Sequence, residues 1–246
     1  MMLAGRSTLA GDIFEDLNAV SASRRSLYSF LSRIFERELS EEIVKELQGK
    51  EVIAQLSPLK GLGNKGLNDG LIRLDSYLKR SRTAGHEKVK SDLSNQYARL
   101  FLGKSARAPH PSESSYAKGG SHAKQKRREE VMEIYRSVGL DKAKEFGEPD
   151  DHVAVELQFM SYLANETVAA AKSCDRGKAL ELLRLQHRFL NDHLGLWIGL
   201  LSDDVTKQAP SSFYRGATLL AAGFVEEDIK VVEDFIEDLE PPQKKG

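Results

Sequence analysis

A single cysteine, Cys174, stands in 246 residues. That excludes a disulfide framework and any cysteine-based zinc or iron–sulfur site within one chain. Long apolar runs are missing too. The longest near-apolar stretch, Gly216 to Val225, is about half of the roughly 20 residues a membrane-spanning helix needs. The N-terminus, MMLAGRSTLAGDIFEDL, has no continuous apolar core and does not read as a secretory signal. No charge sign dominates: 36 Lys and Arg against 37 Asp and Glu give a net charge of −1. This argues against wholesale binding to nucleic acid through a basic face, while leaving room for a local basic patch. No run combines period-two alternation with β-branched enrichment, so no sheet is expected. No repeat of fixed period appears.

Catalytic patterns are equally sparse. The six histidines are scattered. His152 and Glu156 have the i,i+4 spacing that can put two metal ligands on one helix face, but spacing supplies no third. Composition leaves a Ser–His–Asp assembly open, yet no nucleophile-elbow sequence is present. Cys174 lies in a polar turn without a neighbouring histidine, which disfavours a thiol nucleophile. These absences point to a protein that is not an enzyme, holding no cofactor and no metal.

What is present is helix. Apolar residues make up 40% and charged residues 30% of the chain, as in soluble globular proteins; with one cysteine, the cytoplasm is the simplest location. Leu27, Tyr28, Leu31, Ile34 and Phe35 fall on one face of a first helix. Its Ser23-Arg24-Arg25-Ser26-Leu27-Tyr28 resembles a twin-arginine export motif, but polar residues interrupt the next turns at amphipathic spacing, so an ordinary helix is favoured. Ser40-Glu41-Glu42 opens a second helix. Ser57 to Gly70 reads as a connector. Its Gly61-Leu62-Gly63-Asn64-Lys65-Gly66 is a formal GxGxxG, but no strand precedes it. Helices are expected over Leu71–Lys79, Val89–Leu102 and His122–Val138. The basic run Lys124, Lys126, Arg127, Arg128 on the last reads as a solvated face. Gly103 to Ser121 is a long loop of the kind that carries function or is disordered. Ala179 to Trp197 is helical, with His193 as a hydrogen-bonded core histidine. Gly195, Gly199 and Ser202-Asp203-Asp204 then loosen the chain. Ser211 or Ser212 caps a last helix running to about Leu239, with Gly223 as an irregularity. The expected fold is all-α: one bundle of about eight or nine helices, spanning 1–246 with its core over about 13–239 and both ends loose.

The chain is organised around Gly147 to Leu163. Pro149 cannot continue a preceding helix, and Asp150 or Asp151 can cap the next. Val153, Leu157, Met160 and Ala164 form one apolar stripe of that helix. A cap needs one carboxylate. Glu148, Asp150, Asp151, His152 and Glu156 within nine residues are more than a cap requires, and make this a site.

Three segments carry a resemblance. Tyr97-Ala98-Arg99-Leu100-Phe101-Leu102-Gly103 precedes Pro109-His110-Pro111-Ser112-Glu113-Ser114-Ser115-Tyr116, and Glu148-Pro149-Asp150-Asp151-His152 runs on into Glu156-Leu157-Gln158-Phe159-Met160. In order and spacing they resemble the TorD/DmsD/NarJ family of cytoplasmic chaperones for molybdenum oxidoreductases, nearest its TorD/DmsD branch. The resemblance covers about residues 20 to 239. It implies an all-helical chaperone that binds the twin-arginine leader and the body of a molybdopterin oxidoreductase until its cofactor is inserted, before export. It assigns leader binding to Pro149, Asp151 and His152. It also implies a monomer or a domain-swapped dimer with a hinge near 139–150. Guanine-nucleotide binding is proposed for some members, but no phosphate loop supports it here. Arginine forks are matched best by carboxylates, for which Glu113, Glu148, Asp150 and Asp151 are candidates, and Tyr97, Phe101 and Tyr116 are candidates to line a groove for the apolar part of a leader. Two rival readings remain: a helical scaffold indifferent to arginine, and a metal-dependent enzyme at His152 and Glu156.

Overall fold

The computed structural model describes residues 10–49, 51–56, 59, 61, 64–103, 108–141, 147–209 and 213–241. The elements are α1 (Ala10–Glu36), α2 (Glu41–Gln48), α3 (Glu51–Leu56), α4 (Lys65–Ser81), α5 (His86–Phe101), α6 (Gly120–Ser137), α7 (Val153–Lys172), α8 (Arg176–Phe189), α9 (Gly195–Gln208) and α10 (Phe213–Leu239). A 3₁₀ turn covers Glu113–Ser115 and a π turn covers Leu190–Leu194. Among the described residues there is no strand, only one isolated antiparallel bridge between Ser112 and His152. The fold is all-α, as the periodicity predicts. No described helix is long and apolar enough to cross a membrane.

Helix α7 forms the centre because it is apolar on nearly every side. Val153, Leu157, Met160, Leu163 and Ala164 are fully buried, and so are Glu156 and Thr167. It lies along α1 on one side and α8 on another. The contact with α1 is extensive, and α1 buries Tyr28, Leu31 and Phe35 in the core. It is pinned at two points, where Ser32 donates to the Ala154 carbonyl (2.8 Å) and Ser161 to the Arg25 carbonyl (3.0 Å).

The segment resembling an export motif is the middle of α1. Arg24 is buried there, its Nε and Nη2 donating to Asp228 of α10 at 2.5 and 2.8 Å, and the Tyr28 hydroxyl donates to the same carboxylate at 2.6 Å. This arginine is an internal cross-brace between α1 and α10.

Several boundaries differ from the sequence reading, and glycine chemistry explains most of them. The connector expected up to Gly70 ends earlier: α4 starts at Lys65, capped by Asn64, whose Oδ1 accepts from Leu67 N. Gly66 and Gly70 are both inside this helix, and Gly70 lies where α4 packs backbone-close on α10. A Cβ on Gly70 would lie 2.4 Å from Leu220 N, and one on Gly223 would lie 2.3 Å from Leu67 N. Gly223 is thus no irregularity, but the point of closest approach in a continuous α10. Gly195, Gly199 and Ser202–Asp204 likewise do not loosen the chain, which stays helical to Gln208. The expected hinge at 139–150 falls partly, and the GxGxxG segment and the Ser211/Ser212 cap partly or wholly, outside the described residues.

Candidate functional site

Helix α7 begins at Val153 and is capped by His152, whose ring Nδ1 accepts the Ala154 N–H at 3.2 Å. The expected cap by Asp150 or Asp151 is therefore corrected. Asp151 is fully buried and turns the other way. Its Oδ2 accepts Ser114 N at 2.6 Å, and its Oδ1 accepts Arg128 Nε at 3.3 Å. Two backbone bonds reinforce that link: Glu113 N donates to the Asp151 carbonyl (3.0 Å) and Val153 N to the Pro111 carbonyl (2.8 Å). The Pro-His-Pro-Ser-Glu loop is thereby fixed against the start of α7. Pro149 supports the turn by accepting His152 N on its carbonyl.

This loop carries Glu113 inward. Glu113 is buried; its Oε2 accepts His193 Nδ1–H at 3.1 Å, and its Oε1 lies 3.7 Å from Arg127 Nη1. The π turn puts His193 there, with Trp197 one turn further on. Such turns recur at functional sites because they re-aim side chains within a helix. Trp197 Nε1 donates to Glu156 Oε2 at 2.9 Å, and its ring stacks on Tyr116 with centroids 5.7 Å apart. The Tyr116 hydroxyl reaches Asp204 at 3.3 Å. His193 is the hydrogen-bonded core histidine expected, stacked on Phe189.

Three acids thus lie close together with little access to water. Glu156 is the extreme case. Burial, then the neighbouring charges of Glu113 and Asp151, push its carboxyl well above the usual range, although the Trp197 hydrogen bond acts in the opposite direction. Its Oε1 has no hydrogen-bond partner. Such surroundings favour the protonated form of the carboxyl. With His152 engaged at the helix cap and Glu156 facing Trp197, the pair is not arranged as metal ligands. No metal-binding group of three or more His, Cys, Asp or Glu occurs among the described residues.

The cations facing these acids come from α6. Arg128 touches Asp151 with 45% of its side chain exposed; Arg127, 36% exposed, reaches Glu113 and Glu130 and donates to the Asp192 carbonyl at 3.0 Å. The basic run read as a solvated face therefore supplies two consecutive arginines to two buried acids. Sequence spacing does not reveal this, because the partners are 14 to 23 residues away across a loop. Beside Arg127 and His193 opens a cleft of about 610 Å³, whose walls include Ile134 and Leu196.

The remaining predicted residues are distributed unevenly. Asp150 is half-buried, and its carbonyl accepts the Tyr135 hydroxyl at 3.3 Å. Glu148 is exposed. Tyr97 and Phe101 belong to a different aromatic cluster, with Tyr214 and Phe35. Glu148 is close enough to act on Tyr97: burial first, then this carboxylate, push the phenol up to about 12. Tyr116 packs on Trp197 instead, and no ring contact among the described residues joins the two clusters. Tyr97 and Phe101 thus stand in one ring cluster and Tyr116 in another.

Comparison with known proteins finds relatives along most of the chain. Residues 64–203 match the family model described as nitrate reductase delta subunit. Chaperone protein TorD of Vibrio cholerae serotype O1 (strain M66-2) is 26% identical over 227 residues, covering 92% of this chain and 99% of that protein. Chaperone protein TorD of Photobacterium profundum is 27% identical over 215 residues, covering 87% and 96%. Chaperone protein TorD of Psychrobacter sp. (strain PRwf-1) is 25% identical over 221 residues, covering 89% and 96%. The matched segment spans more than half of the sequence and contains both the loop with Glu113 and the start of α7, and this chain belongs to the nitrate reductase delta subunit family.

Proposed function

We propose that this protein is a non-enzymatic cytoplasmic maturation chaperone for a molybdopterin oxidoreductase, and that the site at the start of α7 receives the client's twin-arginine leader. Near-complete alignment with relatives named as TorD chaperones supports the first part. The second part rests on one observation: two consecutive arginines of the chain, both partly exposed, face two buried acids at 3.3 to 3.7 Å. In this reading the two buried acids accept paired guanidinium groups, a place now taken by the chain's own partly exposed Arg127 and Arg128.

In this reading a leader arginine first meets Glu148 and Asp150, which lie at the surface. It then exchanges with Arg127 or Arg128 for Glu113 or Asp151. Exchange conserves charge, so no buried acid is left bare, which would cost several kcal/mol (about 3–5). Pro149 and His152 fix the backbone of the turn. Glu156, neutral and hydrogen-bonded to Trp197, holds the floor without adding a third negative charge. Tyr116 stands on that floor.

Calorimetric titration with leader peptides of the molybdenum oxidoreductases encoded in the same genome tests this. The reading predicts binding that weakens as salt is raised, because partly exposed ion pairs are screened. It also predicts a large loss when the arginine pair is replaced by lysines, which lack the planar fork. Arg128→Gln should bind the leader more tightly than native, since the internal competitor is gone. Equal affinity for arginine and lysine leaders would favour an indifferent scaffold.

A further inference from the structure

We propose that the furrow between α9 and α10 takes the apolar stretch of the leader whose arginines bind at the start of α7; this rests on the leader reading above. The furrow measures about 340 Å³ and is floored by Ile198, Leu219, Ala222 and Ile229. That size accepts several apolar side chains and lies at the small end of the roughly 300–1,000 Å³ typical of ligand sites.

Gly199 gives the first indication that something covers it. Glycine weakens a helix interior, so it needs a local reason. Gly195 has one, since its Cβ would lie 2.4 Å from the Leu190 carbonyl oxygen, and Gly223 has one at α4. Gly199 has none within the fold: a Cβ there would meet nothing within 4 Å. It opens the furrow to close approach by another chain. Outside the furrow's lining, Leu200 next to it in sequence and Leu196, which walls the cleft beside His193, are 47% and 55% exposed. The second indication is independent. Ser202 lines the furrow, is 3% exposed, and its hydroxyl has no hydrogen-bond partner. Buried hydroxyls are normally paired.

Charge identifies the occupant. The ionic groups on the furrow are Asp203 and Glu226, with no lysine or arginine among its lining residues. Neither carboxylate makes an ion pair among the described residues; Glu226 accepts only the Asn64 side-chain amide, at 2.7 Å. An apolar segment with cationic flanks fits such a rim, and an acidic one is repelled. A twin-arginine leader is such a segment. Helix α9 joins the two places, since its other side carries Trp197 and Asp204 into the acidic site.

The test uses the full-length protein and the same leader peptides. Gly199→Leu extends a side chain into the furrow from a position with no neighbour to clash with. It should keep helix content and melting temperature while weakening leader binding at least tenfold. Asp203→Lys, at an exposed position, should weaken it several-fold, more so at low salt. A leader with its apolar stretch replaced by serine and glutamine should bind weakly to the native protein. Gly199→Leu should then cost nothing further, because both changes remove the same contact. If native protein binds the leader and both variants bind it equally well, the furrow is not the site and the leader reading stands. If native protein binds no leader, both fall.

Discussion

Replacing Asp228 by alanine removes the acceptor of three hydrogen bonds, two from Arg24 and one from Tyr28. Arg24 is 4% exposed and Asp228 is 1% exposed, so water cannot take the place of the lost carboxylate. Breaking a buried pair by deleting one partner costs about 3–5 kcal/mol, because a bare charge is left behind. Typical total stabilities are about 5–15 kcal/mol, so this is a large share. For a chain of this length each kcal/mol moves the melting temperature by about 2–4 °C. The expected drop is therefore about 6–20 °C, read by circular dichroism at 222 nm or by calorimetry. The double variant Arg24→Met/Asp228→Leu should recover part of it, since a buried ion pair exchanged for apolar groups is often neutral in stability, while the buried Tyr28 hydroxyl is left without its acceptor. A melting temperature for Asp228→Ala within about 2 °C of native, or a double variant no better than the single one, would refute the reasoning.

Two further outcomes follow from the packing and the buried acids. Glu156→Gln should raise stability at neutral pH, because the amide stays neutral without taking up a proton. In the native fold Glu156 keeps its proton above its ordinary value of 4.5, where the unfolded chain has lost it. The folded state then binds more protons, and native stability falls as pH rises through that range. The gain from glutamine should vanish below about pH 4, and a gain independent of pH would contradict the assignment. Gly223→Ala should destabilise by about 1–3 kcal/mol by forcing α4 and α10 apart, whereas Gly199→Ala should stabilise by up to about 1 kcal/mol; urea unfolding midpoints that moved the same way for both would remove the explanation of these glycines.

Periodicity made the helices legible. Leu27, Tyr28, Leu31, Ile34 and Phe35 predicted the buried face of α1, and all five are buried. Proline and the clustered acids marked the start of α7 to within two residues. Contacts between distant segments were not legible. An aspartate before a helix reads as a cap, and only the fold shows that Asp151 turns to Ser114 and Arg128 while a histidine ring takes the cap. A basic run on an amphipathic helix reads as solvated, and only the loop's return brings Glu113 to Arg127. Glycine-rich stretches read as loops, because sequence does not distinguish a glycine needed for a turn from one needed where two helices touch. Gly70 and Gly223 are of the second kind.

The most direct test of leader binding at the α7 start is site-resolved cross-linking. A leader peptide carries a photoreactive group at the residue next to its arginine pair, and the native protein is irradiated with it and digested for mass spectrometry. The account predicts cross-links to 113–116, 127–128 or 148–152, suppressed by excess unlabelled leader and absent with a lysine-pair leader. Cross-links confined to other segments, with that same competition and arginine dependence, would contradict it.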